Sequence, residues 1–265
     1  MLTIMLHRVL PELRADCYYT QRGTAISRRQ LEILLNESQR RGLPLVTSRP
    51  VNGQPAICLT FDDGYADNAW AFDRILKAGG RAWLFPVKTY VQQRFSVMDD
   101  FAAQLRMYAE EQSSFDLARV RQIIRQVTPN RYRYWRERLT SITQDRCDAE
   151  LFLNEKDLKQ YSAAGIEMGL HGVTHRIWSN LSWSELAWEI RESEDWLTEL
   201  TGTRPLGACF PHGKEPSEQA VTSLLSAYDC FGVDKPYSQN QVIRRFWLRE
   251  THHIGTVLDD YLRRK

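Results

Sequence analysis

The chain has 265 residues, of which 43% are hydrophobic and 26% charged, with eight Trp; this is the composition of a folded globular domain and excludes intrinsic disorder. A net charge of +2 gives no bulk electrostatic reason to bind nucleic acid or a membrane surface, and no apolar stretch approaches the roughly 20 residues of a bilayer-spanning helix. The five cysteines (Cys17, Cys58, Cys147, Cys209, Cys230) are odd in number and form no C-x-x-C pair, which points to a reducing compartment. The opening MLTIMLHRVL lacks a basic n-region and a small-residue cleavage site, so a cytoplasmic protein is expected, either free or peripheral at the inner face of the membrane, with residues 1–265 as a single domain.

In chain order, Leu2 to Leu6 reads as a buried strand. Ser27 to Arg41 reads as a helix with Ser27 and Gln30 as its capping box and Gly42 as its stop. Strands follow at Leu43 to Thr47 and Ala56 to Phe61, then a helix at Ala69 to Ala78 and a strand at Arg81 to Val87. The region 98–159 reads as a mostly helical insertion. It contains an arginine-rich piece from Arg119 to Arg138, with seven Arg against the single acid Glu137. Such a piece is either a solvated face or an attractor of a phosphate-bearing sugar, because guanidinium forks match phosphate oxygens.

A second series starts with a strand at Ile166 to Leu170 and a helix at Trp183 to Leu200, capped by Ser182 and Glu185. Leu206 to Phe210 is a strand and Ser217 to Ala227 a helix. Strands at Cys230 to Val233 and Phe246 to Ile254 complete the series. Alternating strands and helices predict a parallel sheet with its site at the carboxyl ends of the strands, as in a barrel or a doubly wound fold.

Two polar clusters follow such strands. In LTFDDGYADN, the pair Asp62 and Asp63 stands where a strand turns, a place where carboxylates cap helices more often than they catalyse. In HGVTH, His171 and His175 are spaced i and i+4, which one helical turn would present on one face to a metal. Together with Asp63 they supply two imidazoles and a carboxylate, a set that leaves coordination positions open for water and substrate.

The ordered set of TFDDG, the H-x-x-x-H after AAGIEMGL, FPHG at Phe210 to Gly213 and the opening IMLHRV resembles the polysaccharide deacetylase family, also called the NodB homology domain or carbohydrate esterase family four. The resemblance implies a distorted (β/α) barrel and hydrolysis of an N-acetyl or N-formyl group from an amino sugar. It also implies that Asp62 is the general base and that Asp63, His171 and His175 bind one divalent ion, zinc foremost, with cobalt, nickel or manganese as alternatives. The backbone N–H of His212, after Pro211, takes the family's oxyanion position; the His7 and His212 side chains, near strand ends, either contact substrate or satisfy local hydrogen bonds, with substrate contact favoured for His212.

Two departures stand out. Many members orient the base with an Arg two residues before the Pro, where this chain has Cys209, so Arg249 and Arg8 are the candidate partners of Asp62. The family's late general acid is a His following a Leu; here Thr251-His252-His253 offers His252 and His253, read as lying on the last strand with opposed side chains. The expected substrate is an N-acylated sugar, glycan or sugar phosphate in an intracellular precursor of a surface polysaccharide. A noncatalytic sugar-binding barrel is the competing reading, and a nucleic-acid binder is disfavoured by the near-neutral charge.

Overall fold

The computed structural model describes residues 1–15, 18–93, 151–233 and 241–264. The arginine-rich piece and positions 98–150 of the predicted insertion lie outside the described residues. In chain order the strands are β1 (Leu2–Leu6), β2 (Arg8–Leu10), β3 (Ala25–Ser27), β4 (Ile57–Asp63), β5 (Ala82–Pro86), β6 (Ile166–Met168), β7 (Gly207–Cys209), β8 (Asp229–Gly232) and β9 (Ile243–Trp247). The helices are α1 (Tyr18–Arg22), α2 (Arg28–Arg40), α3 (Asn68–Lys77), α4 (Lys88–Gln93), α5 (Glu155–Ala164), α6 (Trp183–Thr201), α7 (Glu218–Leu225) and α8 (Ile254–Arg263).

Seven strands pair in parallel in the order β6-β5-β4-β1-β9-β8-β7, while β2 and β3 form a separate two-stranded ribbon. The sheet curls until its edges meet beyond β6. There the Leu170 amide donates to the Gly207 carbonyl at 2.8 Å, and the Cys209 amide donates to the Leu170 carbonyl at 2.8 Å. This is the barrel the sequence predicts, nearly closed and with no flat edge left between β6 and β7.

Burial on both faces explains why β4, ICLTFDD, is buried at every position and reads as continuous rather than alternating. Ile57, Leu59 and Phe61 join the large core cluster shared with the helices, whereas Cys58 packs with Trp83, Phe85, Cys209 and Phe231 in a separate small cluster. The period of two thus divides the strand between an outer layer and the barrel interior. Tight passage of the closing strand needs Gly169, where a Cβ would lie 2.2 Å from Phe85 Cε1.

Several boundaries differ from those expected. Leu43 to Thr47 makes only an isolated bridge, Leu45 to Ile57, and no strand. Ser27 caps α2 by accepting from the Gln30 amide, but the reciprocal contact comes from Glu250, whose Oε2 accepts from the Ser27 amide at 2.8 Å. Gln30 instead donates to the His252 carbonyl at 2.7 Å. The last strand lies earlier than Phe246 to Ile254 and ends at Trp247; the chain then turns, and His253 caps α8 by accepting from the Thr256 amide. The helical spacing of Ile254, Leu258 and Leu262 is the signal that the strand reading passed over.

Beyond β6 the chain runs as a loop held from behind by α6. Glu189, with 0% exposure, accepts from the amides of Val173 at 2.6 Å and Thr174 at 3.0 Å, from the Thr174 hydroxyl, and from Arg176 Nε at 3.4 Å. Gly172 has φ +80°, and a Cβ there would sit 2.8 Å from Glu189 Oε2, so a side chain would push the clamp away. Glu189→Ala strands buried amides and leaves the buried Arg176 guanidinium to Glu185 alone, and is expected to cost about 3 kcal/mol or more in chemical denaturation.

Candidate active site

At the carboxyl end of β4, Asp62 follows Cys58 and Thr60 on the inward face of the strand. Its carboxylate meets a guanidinium fork from β9: Arg245 Nη1 donates to Oδ1 at 2.7 Å and Nη2 to Oδ2 at 2.9 Å. The Arg245 side chain is 0% exposed, and its Nη1 also donates to Thr60 Oγ1 at 3.2 Å. Burial alone would raise the Asp62 carboxyl, but Arg245 and then His171 outweigh it and hold the group below the ordinary carboxylate range. Asp62 is therefore an ionised acceptor in a buried site.

Neither expected partner fills this role. Arg8 donates to Asp67 Oδ2 at 2.8 Å and lies over the Tyr19 ring, and Arg249 stacks over Trp247. Cys209 does approach Asp62, with Sγ 3.7 and 3.8 Å from the two oxygens. Arg245 escapes sequence reading because it lies just before the expected strand; on the observed β9, Ile243, Arg245 and Trp247 share a face.

Successive strand residues point to opposite sides, so Asp63 reaches the same site only by leaving strand geometry: its φ is +73°. Asp63 Oδ1 then lies 3.4 Å from His171 Nε2 and 3.2 Å from His175 Nε2. The two histidines do not sit on a helical turn as expected. Their loop carries Gly172 at φ +80° and His175 at φ +57°, and these left-handed residues fold it so that both rings converge. Asp63, His175 and His212 are the three non-glycine residues with positive φ among the described residues, and all three border one site. Backbone strain of this kind costs about 1–3 kcal/mol per residue and persists where surrounding contacts over-determine it.

The tautomers follow from the outer ring nitrogens. His171 Nδ1 is 2.9 Å from the Cys209 carbonyl, which can only accept, so a neutral His171 carries its proton there and turns a lone pair toward Asp63. His175 Nδ1 lies 3.1 Å from the Tyr90 hydroxyl. Asp63 Oδ1 is buried with no hydrogen-bond partner, and ligand atoms from Asp63, His171 and His175 lie within 4.8 Å of one another. Converging lone pairs of this kind repel unless a cation lies among them, so the residues present fit a divalent metal. Asp62, His171 and Cys209 are also close together, but the Arg245 fork engages both Asp62 oxygens and burial pushes the Cys209 thiol up. That second trio is not a metal site.

A cleft of about 300 Å³ opens above these groups, lined among others by Met5, His7, Tyr65, His212 and Trp247. His7 Nε2 is 3.9 Å from Asp62 Oδ2, and the His212 ring packs 4.4 Å from that of His175. Pro211 is buried at the start of the short turn that gives His212 its φ of +58°. His252 and His253 are not in the cleft. The Arg249 amide donates to His252 Nδ1 at 3.0 Å, the His252 ring packs on Phe246, and His253 serves as the cap of α8. Asp62, Asp63, His171, His175, His7 and His212 are thus brought together, whereas Arg249, His252 and His253 are set apart.

The fold has parallels in solved structures. The Streptococcus pyogenes deacetylase PplD, in complex with acetate, superposes with a TM-score of 0.67 at 11% identity, covering 98% of this chain and 96% of its own. A de-N-acetylase from Aggregatibacter actinomycetemcomitans gives a TM-score of 0.62 at 14% identity, with 97% and 98% covered. IcaB from Ammonifex degensii gives 0.57 at 15% identity, with 93% and 91% covered. At such identities these likenesses establish the barrel fold. No curated protein matches the chain by sequence. The family model described as polysaccharide deacetylase, however, matches residues 50–228, which include Asp62, Asp63, both histidines of HGVTH and FPHG. The chain belongs to the polysaccharide deacetylase family.

Proposed function

We propose that this protein is a metal-dependent N-deacetylase of an amino-sugar glycan, with Asp63, His171 and His175 as metal ligands and Asp62 as general base. The observation that carries the reading is the unsatisfied Asp63 Oδ1 facing two imidazole nitrogens beside a carboxylate kept ionised by Arg245. Two imidazoles and one carboxylate suit zinc, and also cobalt, nickel or manganese. When bound, the ion would polarise the acyl oxygen and acidify water.

The remaining work falls to the chain. Asp62 accepts the proton of the attacking water, and Arg245 keeps its carboxylate ionised and aimed. The backbone N–H of His212 donates to the oxygen on which negative charge develops, a role its left-handed turn supports by holding the residue beside His175. Trp247 offers an apolar face for a sugar ring in the cleft. A formyl group would require the same residues, so N-formyl and N-acetyl oligomers belong in one assay panel.

Released acetate or formate from a panel of N-acylated glycan oligomers is the direct test, and no turnover of any oligomer by metal-loaded protein would overturn the reading. His171→Ala and His175→Ala should each lose most bound metal by elemental analysis; full stoichiometric metal in either variant would reject the ligand set. Asp62→Asn should keep the metal yet lose about 10²- to 10⁴-fold in kcat.

The low Asp62 pKa gives a signed pH dependence. A base whose pKa is depressed stays active down to low pH, and Arg245 is the main cause of the depression. In Arg245→Met, burial acts unopposed by that charge, so the acidic limb of kcat/KM should move to higher pH. An unmoved limb would show that another group sets the ionisation of the base.

A further inference from the structure

The floor of the cleft and its walls differ in charge. Among the described lining residues the carboxylates are Asp62 and Asp63, both on the floor, whereas the walls carry Arg22 and Lys214. The floor acids are engaged: the Arg245 fork takes both Asp62 oxygens, and Asp63 faces the His171 and His175 rings. Glu215, the acid next to Lys214 in the chain, is turned away from the cleft. Its side chain is 3% exposed and pairs with Arg244.

The two wall cations come from separate elements that the fold fixes. Arg22 ends α1, and Gly23, at φ +69°, turns the chain so that its carbonyl accepts from Trp247 Nε1 at 3.1 Å. Arg22 is thereby anchored one residue from the indole of the wall. A further guanidinium lies behind that wall, since Arg249 stacks on the indole with its central carbon 4.7 Å from the ring centroid. Lys214 closes the Pro211–Gly213 turn, its amide donating to the Pro211 carbonyl at 3.2 Å, and so follows the His212 that borders His175.

We propose that the cleft selects an anionic glycan, in which the amino sugar to be deacylated is joined to a group bearing a carboxylate or a phosphate, and that Arg22 and Lys214 hold that anion. The reaction rests on the deacetylase reading above, while the charge preference is a property of binding alone. A cleft walled by one sign of charge concentrates ligands of the opposite sign, and guanidinium and ammonium donors both suit oxyanions. The chemistry of the product adds to this. An amide is neutral, but the amine freed from it is largely protonated at pH 7, and no carboxylate among the described wall residues receives that charge. Along a glycan of neutral sugars the positive charges would accumulate with each deacylation and weaken binding. A neighbouring anion offsets them and keeps the glycan matched to the walls.

Calorimetric binding to the full chain, with metal removed by a chelator to prevent both turnover and direct coordination of the anion, tests the proposal. The probes are two pairs: a tetrasaccharide alternating N-acetylglucosamine with glucuronic acid against the neutral N-acetylglucosamine tetramer, and N-acetylglucosamine 1-phosphate against the free sugar. At least one anionic probe should bind about tenfold or more tighter than its neutral counterpart at low salt, and which of them does so distinguishes carboxylate from phosphate. The preference should fall toward parity near 1 M salt, where the Debye length is about 3 Å. In the double variant Arg22→Gln, Lys214→Gln it should shrink to within about twofold, and Lys214→Gln alone, a change at an exposed position, should lower it about threefold. Equal affinity for charged and neutral probes in the wild-type chain, or an undiminished preference in either variant, would overturn the proposal. Failure of metal-loaded protein to hydrolyse any N-acyl oligomer would instead overturn the deacetylase reading.

Discussion

The buried pair of Arg245 and Asp62 is the interaction around which the site is arranged. Both side chains are nearly inaccessible, at 0% and 4% exposure, and taking two charges out of water costs several kcal/mol per ion unless geometry and hydrogen bonds compensate. Here the fork is bidentate and Thr60 accepts a further bond from Nη1. What results is a carboxylate that remains ionised, holds one orientation and cannot turn away to bind a metal. Two consecutive carboxylates can then serve different purposes, because the first is claimed by a guanidinium and the second faces imidazoles.

That division needs a rigid frame, which comes from packing outside the site. Asp63, His175 and His212 adopt left-handed backbone conformations, each unfavourable in isolation. Opposing contacts keep them in place. Glu189 grips the loop from α6, the Lys88 and Thr89 amides donate to the Gly172 and Val173 carbonyls, and the Cys209 carbonyl accepts from His171. The edges of the rings that face Asp63 are thus set by groups buried on the far side.

Most of the fold was legible because β4, β5 and β7 are buried at every position and several helices carry explicit side-chain caps. Ser182 and Glu185 make the reciprocal box expected of them at the start of α6. Apart from the helical spacing of α8, which was there to be read, the differences share one cause: local pattern does not report which distant group completes a contact. Glu250, not Gln30, satisfies the Ser27 amide from 223 positions away. The i, i+4 histidines suggested a helical turn, but Gly172 and His175 take positive φ to meet Asp63, a tertiary demand without a periodic trace. Arg245 sits in an apparently ordinary basic pair, Arg244-Arg245, and only the register of β9 against β1 separates the inward residue from its neighbour, which pairs with Glu215.

The substitution of the motif arginine by Cys209 acquires a physical meaning from that register. β7 and β9 flank β8, so residues at the carboxyl ends of both can point across the interior toward Asp62. Cys209 does so with a compact thiol whose Sγ stays 3.7 Å from the carboxylate, and Arg245 brings the positive charge from the other strand. A base needs a guanidinium at a certain place and angle, and the barrel can supply it from more than one strand. Loss of the arginine from its usual position would have favoured a noncatalytic sugar-binding barrel. Its electrostatic role is nonetheless filled in this interior, because a buried Asp62 without a counter-charge would tend to protonate and Arg245 prevents this.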